Sequence, residues 1–445
     1  MDYSNIIKAY DVRGIFPDEL DEEAASRIGA GFASFVDADE VIVGYDCRLS
    51  SPPLREALVD GITSQGVSVR LIGEIPTDVL YYASGALSLP GVVITASHNP
   101  AQYNGLKFCQ PGAAPIGADT GLKDIQSLAE MGLDADGTPG SVTTEDVIAG
   151  YLDHVIAATG ADGIRSLRVA ADGGNGMAGA VLPQVFERID AELIGLYLEP
   201  DGTFPNHPAD PLRPENLVDL MALVDETSPD LGVAFDGDAD RAFFIDDAGV
   251  ALPGSTTTAI IADWFLAREP GSAVVHNLIC SKAVPEIVTA AGGLPIRTKV
   301  GHSYIKQVMA ETGAIFGGEH SGHYYFRENY RADSGIMAML VLLRVLSEKD
   351  MPLSELRTAY EPYAQSGEIN FHVADVAAAD AAVERAFEDH AIDRLDGLTV
   401  DVGSSWFNLR PSNTEPVLRL NVEGPDRESV ANLVDRIEQI IKEQA

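Results

Sequence analysis

The feature that most constrains this chain is a local pattern that occurs three times. A short apolar run ends in small or polar residues and passes directly into a helical stretch. "EVIVGYD" (40–46) leads to "SPPLREALVDGI", "LRVAADGG" (167–174) to "MAGAVLPQVFERI", and "AVVHNLICS" (273–281) to "KAVPEIVTAAG". Runs of this length and composition read as buried strands. Strand–turn–helix units repeated more than 100 residues apart predict three related α/β domains in tandem, with mixed sheets. The final 80 residues differ. "GEINFHV", "LTVDVG", "SWFNLRP" and "PVLRLNVEG" read as strands, followed by "RESVANLVDRIEQIIKE". In that last segment Val430, Leu433, Val434, Ile437, Ile440 and Ile441 follow the spacing of one buried helix face. The chain therefore divides into α/β domains at 1–148, 149–250 and 251–365 and a smaller α+β domain at 366–445.

Composition narrows the partners. A net charge of −38 repels nucleic acid and forces any anion site to be a local positive island. With only eight lysines among 445 residues, each lysine inside a motif is informative. Three widely spaced cysteines form neither a zinc pattern nor a disulfide framework, which points to a reducing cytoplasm and to buried small hydrophobes. The N-terminus lacks the apolar core of a signal peptide. The longest apolar run, "GIMAMLVLL", is too short for a membrane span and reads as a buried helix.

Four polar clusters interrupt this pattern. In "LGVAFDGDADRAFFID" a strand ends at Phe235, and Asp236, Asp238 and Asp240 alternate before Arg241. Three carboxylates so close repel one another unless a cation sits among them, and hard oxygen ligands suit Mg²⁺. The EF-hand reading fails, because Arg241 stands where its glycine is required and Asp247 where its glutamate belongs. An acidic solvated turn stays open. In "GVVITASHNPAQYNGLKF" (91–108) a strand ends in a polar turn carrying Ser97 and His98, "YNG" signals a second turn, and Lys107 returns toward the polar side. Ser97 reads equally as a turn or cap residue.

"FGGEHSGHYYF" places Glu319, Ser321 and His323 on one face if it is extended, a set suited to sugar hydroxyls. A glycine-rich connection is the alternative. "NLRPSNTEPVLRL" sets Arg410, Ser412, Asn413 and Thr414 between two strands, where a guanidinium, hydroxyls and backbone donors suit a phosphate or merely form a turn. "KAYDVRG" (8–14) and "TKVGHSYIK" (298–306) add Lys8, Tyr10, Arg13, Lys299 and His302 as weaker candidates.

In that order, "TASHNP", "DGDADR", "GEHSGH" and "RPSNTEP" resemble the α-D-phosphohexomutases, close to the phosphomannomutase/phosphoglucomutase group. The resemblance runs from Lys8 to about Arg419. It implies three related α/β domains and a last domain resembling the TATA-box-binding protein, arranged around a central cleft. It also implies that Ser97 carries a phosphoryl group beside Mg²⁺ held by Asp236, Asp238, Asp240 and the phosphoserine itself. Arg13, Lys107 and Arg241 would surround the transferring group with His98 beside them, and Lys107 and His302 would do acid/base work. Glu319, Ser321 and His323 would hold the sugar, together with Lys8, Tyr10 and Lys299. Arg410, Ser412, Asn413 and Thr414 would grip the phosphate that is not reacting.

The implied reaction interconverts hexose 1- and 6-phosphates through a hexose 1,6-bisphosphate, which is also the activator. The enzyme would be a cytoplasmic monomer or homodimer with no membrane partner. Thr95 and Asn413 depart from the "SASHNP" and "RPSGTEP" of phosphoglucosamine mutases, and with His320 they favour neutral hexoses, mannose before glucose. A phosphoglucosamine mutase, a phosphatase using the same serine, and a non-catalytic sugar-phosphate binder are the rivals.

Overall fold

The computed structural model describes residues 2–135, 137–411 and 417–443. Each of the three α/β units is built on parallel strands and includes an antiparallel one, so the sheets are mixed as expected. In the first, strands Glu40–Tyr45, Ser68–Glu74, Gly91–Ile94 and Val142–Thr144 run parallel, and Tyr103–Gln110 returns antiparallel beside Gly91–Ile94. Val12–Ile15 pairs on the far side of Tyr103–Gln110. In the second, Ala191–Leu196, Leu167–Asp172 and Leu231–Phe235 are parallel and Ala242–Ile245 is antiparallel. In the third, Leu294–Thr298, Ala273–Asn277 and Phe316–Gly318 are parallel and Tyr324–Phe326 is antiparallel.

The common plan fixes where the chemistry sits. In each unit a reversing loop joins a parallel strand to the antiparallel one beside it. These loops are 95–102, 236–241 and 319–323, and they are three of the four polar clusters. The C-terminal unit is a five-stranded antiparallel sheet in the order Ala364–His372, Val417–Gly424, Trp406–Pro411, Leu398–Asp401, Ala391–Asp393. Helices Val376–Ala386 and Arg427–Lys442 accompany it. Val430, Leu433, Ile437 and Ile441 of the second helix are buried, and Val434 and Ile440 are partly so.

The apolar run "GIMAMLVLL" is the buried start of helix Gly335–Lys349, capped by the Ser334 side chain on the Met337 amide at 3.1 Å. It belongs to a single core that runs through all three α/β units and includes Tyr151, Phe235, Phe265 and Phe316. The C-terminal unit keeps a separate core around Phe387, Phe407 and Leu418. It meets the third unit mainly through polar contacts: Lys282 to Asp401 at 3.0 Å, Val300 N–H to Asp396 at 3.1 Å, and an Arg297–Asp393 ion pair. Among the described residues no helix is long and apolar enough to cross a membrane.

One local expectation fails. "YNG" (103–105) is not a turn; it opens the strand Tyr103–Gln110, paired with Ile15, Gly14 and Arg13. Asn104 is fully buried, and its amide donates to the hydroxyls of Ser50 (2.8 Å) and Ser51 (3.0 Å). Tertiary partners for a buried amide override the local turn preference.

Candidate active site

Ser97 is 5% exposed and sits in the left-handed region at φ 50°. Such a conformation costs about 1–3 kcal/mol unless its surroundings impose it. Its amide donates to Thr95 Oγ1 at 3.0 Å. Its hydroxyl does not cap a helix. It donates to Asp236 Oδ2 at 2.8 Å, across to the second unit and 139 residues away, and lies 3.2 Å from His98 Nδ1. His98 is held neutral: burial, then the charges of Arg241 and Arg13, push its pKa well below the ordinary value.

Asp236, Asp238 and Asp240 are almost wholly buried, so the solvated-turn reading is excluded. Thr77 Oγ1 and Lys107 Nζ each donate to Asp238 Oδ2 at 2.6 Å, and Lys107 Nζ also lies 2.6 Å from Asp240 Oδ2. Arg241 Nε donates to Asp236 Oδ2 at 2.8 Å, and its Nη2 reaches Ser97 Oγ at 3.5 Å. Burial works to raise all three carboxyls. At Asp236 it wins, reinforced by Asp240 and Asp238 against Arg241. At Asp238 the ammonium of Lys107 prevails and the pKa falls. At Asp240, Lys107 and His323 bring it down to about 2. Burial alone would lower Lys107, but Asp238 and Asp240 hold its pKa well above the ordinary value, so it carries its proton in this arrangement.

The three aspartates offer oxygens within 4.8 Å of one another. Asp238 Oδ1 and Asp240 Oδ1 are buried without a hydrogen-bond partner. An all-oxygen set with spare lone pairs fits a hard divalent cation. The neighbouring cluster Asp240, His323 and Asp333 is equally compact but contributes an imidazole, which suits such an ion less well.

The third loop differs in detail from its expectation. Residues 319–323 form a tight turn, with the Glu319 amide bonded to the His323 carbonyl at 3.0 Å, rather than an extended strand. Ser321 Oγ still lies 3.2 Å from His323 Nδ1. Glu319 is buried and held by the Tyr325 hydroxyl (2.5 Å), Asn277 Nδ2 (3.0 Å) and the Gly301 amide (3.2 Å). His323 Nε2 is 3.6 Å from Asp240, which joins this loop to the aspartate triplet. His320 turns away from this cluster: its Nδ1 is 2.9 Å from Ser255 Oγ, in a crevice lined also by Trp406 and Asn421.

Arg13 Nη1 donates to the Ala96 carbonyl at 2.7 Å and to Asn99 Oδ1, beside the serine. The Tyr10 hydroxyl is 3.4 Å from the Val300 carbonyl, so the first and third units meet there. Lys8 is exposed, and its ammonium donates to the Asn5 carbonyl at 2.5 Å. Lys299 is exposed over the Tyr304 ring, 5.6 Å from its centroid. Arg410 lies 4.0 Å from Glu368, with its Nε unpartnered. Ser412, Asn413 and Thr414 lie outside the described residues, and His302 opens helix His302–Thr312 with its side chain likewise undescribed.

Sequence reasoning missed three participants. Thr77 bonds Asp238. Arg419 is directly opposite Arg410 in the strand register and also approaches Glu368, at 3.6 Å. Arg48 is buried behind the Ser97 loop. The signal for Arg48 was available: an arginine two residues after a carboxylate at a buried strand end, in "GYDCR".

A strained hydroxyl, three dry carboxylates and two buried cations, drawn from successive α/β units, define an enzyme built for group transfer to oxygen. The chain belongs to the phosphoglucomutase/phosphomannomutase family. Models of that family's alpha/beta/alpha domains I, II and III match residues 4–133, 149–249 and 253–363, and its C-terminal domain matches 368–440. The chain is 41% identical over 428 residues to the phosphomannomutase of Salmonella montevideo, covering 94% of each. It is 40% identical over 439 residues to the phosphohexose mutases of Xanthomonas campestris pv. campestris, covering 97% of each. The crystal structure of a phosphoglucomutase/phosphomannomutase family protein from Burkholderia thailandensis superposes with a TM-score of 0.91 at 32% identity, over 100% of this chain and 98% of that one.

Proposed function

We propose that this chain is an intramolecular phosphotransferase that interconverts hexose 1-phosphate and hexose 6-phosphate, with mannose phosphates preferred. The observation that carries the reading is the 2.8 Å contact of Ser97 Oγ with Asp236 inside a buried triplet of carboxylates. The preference for mannose is supported by the phosphomannomutase relative. Glucose phosphates are a second substrate by analogy with the relative called phosphohexose mutases. The three cysteines are free thiols, which fits a reducing, cytoplasmic setting.

In the working enzyme Ser97 carries the phosphoryl group, and Asp236, Asp238 and Asp240 hold Mg²⁺ beside it. That ion supplies charge neutralisation for the phosphoryl oxygens. The free hydroxyl of a bound hexose 1-phosphate attacks phosphorus, the bond to Ser97 Oγ breaks, and a hexose 1,6-bisphosphate results. The sugar then turns end for end, and Ser97 Oγ takes the other phosphoryl group, releasing the 6-phosphate. Net phosphate is unchanged, and the bisphosphate primes any dephosphorylated enzyme.

Arg241 and Arg13 flank the reacting group with fixed positive charge. Lys107 acts as cation and proton donor, and His302 takes the proton of the attacking hydroxyl. Glu319, Ser321 and His323 orient the ring. Arg410 with residues 412–414 grips the idle phosphate. A dry site lets these charges act at full strength and keeps water from the phosphoserine.

The test is one assay: mannose 1-phosphate, Mg²⁺ and a trace of hexose 1,6-bisphosphate, followed for 6-phosphate and inorganic phosphate. The reading requires the 6-phosphate from wild type and none from Ser97→Ala. Inorganic phosphate alone would make the protein a phosphatase, and no change at all a binder.

A further inference from the structure

Behind the Ser97 loop lies an arginine that the mechanism does not use. Arg48 is 1% exposed, and its guanidinium spends every one of its five N–H donors. Nε donates to Asp46 Oδ2 at 3.1 Å. One terminal nitrogen donates to the carbonyls of Pro100 (2.8 Å) and Tyr103 (3.0 Å), the other to those of Ser97 (2.8 Å) and Asn99 (2.7 Å). Three carbonyls of one reversing loop, and that of Tyr103 where the next strand begins, thus converge on a single planar group. Asp46 is fixed in turn by the Arg48 amide at 3.0 Å and the Ser51 hydroxyl at 2.6 Å.

The second unit closes over this group. The Phe204 ring centroid stands 4.9 Å from the guanidinium carbon. A Cβ on Gly202 would lie 2.4 Å from the Arg48 Cα, so the segment around 202–204 is pressed against it. The same segment leads to Ala209, whose Cβ lies 3.6 Å from where a Gly237 side chain would start, under the aspartate loop.

We infer that Arg48 is a positioning residue for phosphoryl transfer: it holds Ser97 in its left-handed conformation at the fixed point where the first and second units meet. This rests on the mutase reading above. Asp46 cancels its charge, so its contribution is the fork of donors rather than an electrostatic field. A lysine has the charge but only three donors with no plane, and cannot reproduce the fork.

A misplacement of about 1 Å at a reacting centre costs roughly a hundredfold in rate. Arg48→Ala should therefore lower kcat about a hundredfold with KM for the sugar phosphate unchanged. Arg48→Lys should recover little of it, and added guanidinium ion, at concentrations too low to denature, should restore part of the loss in Arg48→Ala. Phe204→Leu, which loosens the cover without removing a donor, should give a smaller fall in kcat at an unchanged melting temperature.

The assays are run with wild type and Ser97→Ala alongside. Inactive wild type would sink the mutase reading itself. Active wild type with a folded Arg48→Ala of normal kcat would overturn the positioning role alone, as would full recovery by lysine. If Arg48→Ala does not fold, Phe204→Leu decides: an unchanged kcat there overturns the inference.

Discussion

Gly237 is pressed against the carbonyl oxygen of Ser97: a methyl group added to Gly237 would stand 2.3 Å from it. The aspartate loop and the serine loop nest backbone to backbone, and only a residue without a side chain permits it. The Ser97 carbonyl cannot retreat, because Arg48 bonds it at 2.8 Å.

Gly237→Ala should therefore push the two loops apart. Overpacking of this kind costs about 1–3 kcal/mol, and the larger effect should fall on kcat. Denaturant unfolding and steady-state kinetics on the same preparation check this. A variant with unchanged kcat would mean that the two loops need not touch for turnover.

Lys107 tests the electrostatics of the triplet. Its ammonium bridges Asp238 and Asp240 at 2.6 Å each, in a site that admits almost no water. Removing one partner of a buried pair leaves uncompensated charge and costs about 3–5 kcal/mol. Lys107→Met should melt well below wild type without divalent ion. Mg²⁺ should raise its melting temperature by more than it raises that of wild type, since the ion then supplies the missing positive charge. Equal Mg²⁺ shifts in both proteins would separate Lys107 from the cation site.

How much of this was legible beforehand divides along a physical line. The tandem α/β plan was readable because buried strands and amphipathic helices announce themselves within a dozen residues. The Asp236, Asp238 and Asp240 triplet was readable because its spacing is local. What joins these pieces is not local. Ser97 finds Asp236 across 139 residues, and no spacing rule encodes that meeting.

Arg48 escaped notice because its four carbonyl partners are backbone atoms, which have no sequence identity. "YNG" misled because the turn preference of Asn104 and Gly105 was outweighed by the buried hydroxyls of Ser50 and Ser51. Glu319, Ser321 and His323 come together for a different geometric reason than the two-residue period, since a tight turn rather than an extended strand gathers them.

Asp78 gives a pH prediction. It is fully buried where three units meet, accepting from the Tyr151 hydroxyl and the Ser334 hydroxyl at 2.6 Å each, with Asp240 and Asp333 as charged neighbours. Burial is the main cause that pushes its pKa from 3.8 up to about 7, and the two hydroxyls only partly oppose it. Between these values the folded state binds a proton that the unfolded state has lost, so stability falls as pH rises. The contribution is present below about pH 4 and gone above about pH 7, roughly 4 kcal/mol in all. Asp78→Asn keeps both acceptor bonds and removes the titration. Its unfolding free energy should vary less across that window than that of wild type, and matching pH profiles would assign the dependence to other groups.

The last prediction concerns the surface. With 68 acidic against 30 basic side chains, the folded chain compresses a net charge of −38 into one body. Two salt effects then oppose each other. Exposed ion pairs such as Arg168–Glu192 and Arg165–Asp350 weaken as salt rises, but each is worth only about 0–1 kcal/mol. Self-repulsion weakens too, and it acts among all the excess carboxylates at once. Screening shortens from about 10 Å at 0.1 M salt to about 3 Å at 1 M, so the repulsive sum should shrink by more than the pairs lose. The melting temperature should rise with KCl over that range. Sucrose at equal osmolality should not reproduce the full rise, because it excludes itself from the surface without screening charge. A melting temperature that falls with KCl would show that the scattered pairs outweigh the excess charge. The buried Lys107 bridge should be indifferent throughout, so the Mg²⁺ shift of Lys107→Met relative to wild type should be the same at both salt concentrations.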